Sequence, residues 1–119
     1  MDEKFYVSLE VARLLKEKGY NKKCVFAYAD ISNGSDINGR IVFNSNDYPV
    51  GFYPCPTKTE VIDWLDRKIK ISIGYCDLWS KWHYTLTPVR PGVTEINNLS
   101  FSTRLEAEEA AIIDALESL

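Results

Sequence analysis

Between Asn44 and Lys81 three different local signals follow one another without a break, and together they constrain the fold more than any other part of the chain. Tyr48-Pro49-Val50-Gly51-Phe52-Tyr53-Pro54-Cys55-Pro56 is a loop rich in proline and aromatic residues. Proline fixes φ and removes an amide donor, so this stretch reads as irregular. Thr57-Lys58-Thr59-Glu60 is a capping box: the threonine side chain can accept from the Glu60 amide while the carboxylate reaches back. Behind it Val61, Ile62 and Leu65 form an apolar stripe, with Trp64 at its edge. The period then changes from helical to alternating. Ile69, Ile71, Ile73 and Tyr75 face one side while Lys70, Ser72 and Gly74 face the other, which predicts a half-buried strand. Trp82, Tyr84 and Leu86 repeat the alternation after a short connection around Asp77 to Ser80, and Pro88 and Pro91 end it.

The flanking segments complete the pattern. Ser8 is a good N-cap for a helix carrying Leu9, Val11, Ala12, Leu14 and Leu15, with Lys16 and Lys18 in its last turn and Gly19 as its stop. Cys24 to Ile31 is rich in β-branched and aromatic residues, Asn33-Gly34 and Asn38-Gly39 mark turns, and Arg40 to Phe43 returns as a strand. Thr103-x-x-Glu106 is a second capping box, and Leu105, Ala111, Ile112, Ala115, Leu116 and Leu119 recur at helical spacing behind it. A short strand is also compatible with Val93 to Ile96. The expected order is α-ββ-α-ββ-α. Hairpins instead of long crossovers imply an antiparallel sheet of about four strands with three helices on one face, the α+β class. At 119 residues the expectation is a single domain over 1–119.

Composition narrows the function classes. Hydrophobic residues make up 45% and charged residues 26%, the ordinary balance of a globular protein. The net charge of −3 gives no electrostatic drive towards phosphate backbones. No apolar run approaches the roughly 20 residues of a membrane span, and Met1-Asp2-Glu3-Lys4 does not open a secretory signal. A cytoplasmic protein with no membrane partner is expected. Cys24, Cys55 and Cys76 contain no Cys-x-x-Cys pair, and with the single His83 they match no zinc spacing, so no metal and no cofactor is expected. Cys24 and Cys76 sit in strand patterns as small hydrophobes. Cys55, in the loop, is the one expected to be exposed.

Catalytic constellations do not emerge. The chain has no Gly-rich phosphate loop and no Gly-x-Ser-x-Gly elbow, and one histidine permits few triads. His83 reads as a polar-face or edge residue; the sharper alternative is a general base near Cys76 or Asp77. Asp63 with Asp66, and Glu106, Glu108 and Glu109, read as solvated helix faces. Two surfaces remain as candidates for binding. Tyr48, Phe52 and Tyr53 occupy the proline-rich loop, where they either fold back over the core or form a contact patch. Trp79, Lys81 and His83, beside Lys70 and Ser72, place aromatics among basic residues on the polar side of the second hairpin, the composition of a base-stacking platform. A helix-turn-helix is excluded, because Cys24-Val25-Phe26-Ala27-Tyr28 reads as a strand where a recognition helix would have to follow the first helix.

Ser8 to Tyr20 (SLEVARLLKEKGY), Pro54 to Leu65 (PCPTKTEVIDWL) and the acidic, alanine-bearing helix at the end resemble small proteins of prophages and mobile elements in gut Bacteroidetes. The most specific marker is the Pro-Thr and Trp-Leu pairs that bracket Pro56 to Leu65. The resemblance implies a setting, and it carries no catalytic residue to this chain. The expected role is a non-catalytic interaction or accessory protein that binds another protein. The alternative is weak nucleic-acid binding through the Trp79, Lys81 and His83 face. An enzyme ranks third.

Overall fold

The computed structural model describes residues 5–29, 40–90 and 95–119. The chain divides into two compact units, Met1–Thr57 and Lys58–Leu119, each with its own three-stranded antiparallel sheet.

In the first unit, helix α1 (Leu9–Glu17) is followed by β1 (Cys24–Ala29), β2 (Arg40–Ser45) and β3 (Phe52–Pro54), with β1 central in the order β2-β1-β3. The Ser8 hydroxyl accepts from the Val11 amide at 3.3 Å, which satisfies one of the amides left open at a helix start. At the other end Gly19 takes φ +84°, a left-handed conformation that only glycine enters cheaply. Val11, Ala12 and Leu15 turn inward, joined in the core by Val7, Tyr20, Cys24, Ala27, Tyr28 and Cys55. The buried Tyr28 hydroxyl donates to the Val7 carbonyl at 2.7 Å, and the Val7 amide donates to Pro56 at 3.1 Å. These bonds tie the segment entering α1 to β1 and to the segment after β3. Between Cys24 and Phe26 the β1–β2 register slips, and Asn44 absorbs the slip with φ 50°.

The second unit runs α2 (Lys58–Leu65), β4 (Ile69–Cys76), β5 (Lys81–Pro88), β6 (Ile96–Phe101) and α3 (Arg104–Glu117), with β5 central in a plain meander. Ile71 stands opposite Leu86, Ile73 opposite Tyr84 and Tyr75 opposite Trp82, so the two alternating runs present their apolar residues on one face. Helix α3 packs on β4 and β5 through Ala107, Ala111, Ile112, Ala115 and Leu116, all buried. The alanines let its backbone approach the sheet closely. Thr103 caps it, accepting from the Glu106 amide at 3.1 Å. Tyr84, buried under the helix, donates its hydroxyl to Asp114 at 2.9 Å, and the buried Lys58 pairs with Glu109 at 3.7 Å.

The α+β class holds, with three helices among the described residues, but the predicted sheet does not. Two sheets of three strands replace one of about four, and the order is α-βββ-α-βββ-α. The two strands that change it have weak local signals. β3 is three residues long and lies among prolines. β6 carries Asn97, Asn98 and Ser100 with no apolar alternation, and it begins at Ile96, where the short strand predicted from Val93 ends. The turns at Asn33-Gly34 and Asn38-Gly39, the end of the first strand at Asp30 and Ile31, Pro91, and Val93 and Thr94 lie outside the described residues.

Candidate binding surfaces

The proline-rich loop folds back onto its own unit. Tyr48 and Phe52 each stack on Phe43, with ring centroids 5.3 and 5.6 Å from its own. The Tyr48 hydroxyl donates to the Lys22 carbonyl at 2.9 Å. Burial, and then the Cys24 side chain beside it, push that phenol far above its ordinary value. Tyr53 lies beneath two cations of α1, Lys16 at 5.0 Å and Arg13 at 5.7 Å from its ring centre. Lys16 also donates to the Pro49 carbonyl at 2.7 Å, which holds the loop against the helix. Tyr48, Phe52 and Tyr53 are all half-buried, and the residue the loop projects is Val50, 96% exposed. Cys55 was expected to be the exposed thiol and is only 1% exposed. The short β3 carries it inward: its amide donates to Phe26 at 3.2 Å, and its Sγ lies 3.9 Å from the Val7 carbonyl.

On the second sheet the face opposite the apolar one carries Lys70, Ser72, Gly74, Cys76, Lys81, His83, Thr85 and Thr87. β5 is central, so His83 is not at an edge; it stands between Gly74 and Leu99. Its half-buried ring lies directly over Gly74. A Cβ built there would sit 2.7 Å from Nε2 and 2.9 Å from Cε1. Thr85 donates to Asn97 at 2.7 Å. The structure thus brings His83 together with Ser72, Thr85 and Leu99. Trp79 is separate from that cluster in chain terms: it belongs to the four-residue turn Asp77–Ser80, where Ser80 takes φ 52°. In that turn Leu78 is 82% and Trp79 65% exposed. Lys81, exposed, starts β5 just beyond. Of the basic residues near this face, Lys70 is engaged with Asp66 at 3.1 Å.

Sequence reasoning missed a third surface. A cleft of about 780 Å³ in the second unit is lined by Ile69, Leu86, Pro88, Val89, Ile96 and Leu119, with Arg67, Lys68, Arg90 and Ser118 completing it. The Val89 amide donates to the Lys68 carbonyl at 3.0 Å, which fixes the two cationic segments side by side. Arg67-Lys68 and Arg90 are separated by two whole strands, so only the register of the β4–β5 hairpin could have revealed the grouping. His83 does not line this cleft.

Among the described residues no group of three or more His, Cys, Asp and Glu side chains could hold a metal ion, and no helix is long and apolar enough to cross a membrane. Compared with protein-family models, curated proteins and solved structures, the chain matches none.

Proposed function

We propose that this chain is a small non-catalytic protein-binding module, an accessory protein of a mobile element, and that the tip of the β4–β5 hairpin is its contact element. The exposure of Leu78 and Trp79 carries the reading. A tryptophan held in water costs hydrophobic free energy that a partner's pocket recovers, and buried tryptophans are among the strongest anchors of interfaces. The hairpin below the tip is paired over eight consecutive residues of each strand, so the tip is presented on a rigid support and little ordering entropy is lost on binding. The mobile-element setting rests on the resemblance alone.

A nucleic-acid partner is less well supported. Lys70 is paired with Asp66, Lys81 is left as the strand's own cation, and the net charge is −3; phosphate contacts need several cations acting together. Affinity capture from the native host, with and without nuclease, separates the two. The module reading expects a protein that survives nuclease, binds again when purified, and is lost from the Leu78→Ser/Trp79→Ser double variant. Capture unaffected by that variant, or capture of nucleic acid alone, overturns it.

A further inference from the structure

The cleft between the end of α2 and the end of β5 has the make-up of a small-molecule site. Its floor is apolar: Ile69 and Leu86 are buried, and Val89 and Ile96 are half-exposed at its side. Its volume falls in the range of ligand pockets, roughly 300–1,000 Å³. Three cations line it, in a unit where seven Lys and Arg residues face ten Asp and Glu. Acidic side chains are therefore plentiful, yet none lines the cleft, and Arg67, Lys68 and Arg90 make no ion pair among the described residues.

We infer that this cleft binds an anionic amphiphile, a single-chain acyl carboxylate whose tail covers Ile69, Leu86 and Ile96 and whose head meets Arg67, Lys68 and Arg90. Each part of the lining has a matching part in such a molecule. The floor takes up apolar surface without requiring direction. The guanidinium groups offer forked donors that suit a carboxylate's two oxygens. The Val89–Lys68 backbone bond holds the cationic segments together before anything binds, so the site is preorganised. The inference is independent of the protein-binding reading, whose residues Leu78 and Trp79 lie at the opposite end of the hairpin from Ile69 and Pro88.

The test is calorimetric titration of the full chain with sodium dodecanoate below its micelle concentration, with dodecanol as the neutral comparison. Amide chemical-shift mapping in the same samples locates the site. Dodecanoate is expected to bind and to shift the amides of Lys68, Ile69, Val89 and Ile96. Dodecanol should bind about tenfold more weakly, a difference of about 1.4 kcal/mol. The Arg67→Glu/Arg90→Glu variant changes two exposed side chains, so it should keep the native circular dichroism and weaken dodecanoate by at least about tenfold, with no effect on dodecanol. Absence of dodecanoate binding overturns the inference. So does dodecanol binding as tightly as dodecanoate, or an amide map centred on Leu78 and Trp79. Unchanged affinity in the charge-reversed variant removes the role of the cations and overturns it as well.

Discussion

Gly74 is the position where a single added methyl group tests the geometry of the second sheet's polar face most sharply. Its φ is not in the left-handed region, so the backbone accepts alanine. In an extended strand alanine should then stabilise by about 0.5–1 kcal/mol, because it restricts the unfolded chain. The opposing effect is the His83 ring, 2.7 Å from the new Cβ. Reaching the roughly 3.5 Å separation of unstrained contacts moves the ring by about 0.8 Å. The clashing atoms are the far end of a side chain that can turn about χ2, so the cost falls at the low end of overpacking penalties, about 1–2 kcal/mol. The two effects partly cancel, and Gly74→Ala alone should destabilise by no more than about 1.5 kcal/mol. In a His83→Ala background the clash is gone, and the same substitution should stabilise by about 0.5–1 kcal/mol. The double-mutant cycle thus predicts a coupling of about 1–2 kcal/mol. Urea denaturation followed by tryptophan fluorescence is the assay, because Trp64, Trp79 and Trp82 all lie in Lys58–Leu119 and place the probes in that unit. If Gly74→Ala shifts stability equally in both backgrounds, the His83 ring is not where the structure puts it.

Three further outcomes follow from the second unit. Leu86→Ala, which empties a fully buried position against α3, should cost about 2–5 kcal/mol by the same fluorescence assay. Thr103→Ala removes the acceptor for the Glu106 amide and should cost about 1 kcal/mol. Tyr84→Phe removes the bond to Asp114 and should cost about 1.5 kcal/mol at neutral pH. Burial first, then Asp114, raise the Tyr84 phenol above its ordinary value, so the folded state favours the protonated form. Its contribution is complete below the unfolded phenol's value near 10 and fades as pH climbs through the higher folded value. The difference between wild type and Tyr84→Phe should therefore shrink above about pH 10, and a difference that grows there would contradict the assignment.

How much of this was legible in the sequence depended on whether each signal was local. The Ser8 and Thr103 caps and the Gly19 stop need only their own few neighbours, and they mark helix ends in the structure. The run Ile69-Lys70-Ile71-Ser72-Ile73 carries its own face assignment, and Trp82-His83-Tyr84-Thr85-Leu86 matches it across the turn. β6 lacks that property. Asn97 and Asn98 have poor strand propensity, and their place is set by pairing with β5, which no local window contains. Cys55 misled for a related reason: a residue among prolines reads as loop, yet the amide after β3 finds the Phe26 carbonyl and the side chain follows it inward. The cleft was least accessible, since its cations meet only once β4 and β5 are in register.

The composition of β6 also bears on how copies of this chain behave beside one another. A strand at the rim of a sheet offers free amides and carbonyls to any neighbour that can add to it, the first step towards fibres. Here the rim carries Asn97, Asn98 and Ser100, all exposed, and the pairing with β5 steps from Leu99 to Phe101 past Ser100, a kink that an incoming straight strand cannot follow. Colloidal stability at high concentration would then rest on a few polar side chains whose own share in holding the fold is limited to exposed bonds such as Thr85 to Asn97. Replacing Asn97 and Asn98 with valine removes exposed side-chain bonds to Thr85 and Ser100 and should lower the urea midpoint only modestly, while thioflavin-positive assemblies begin to form.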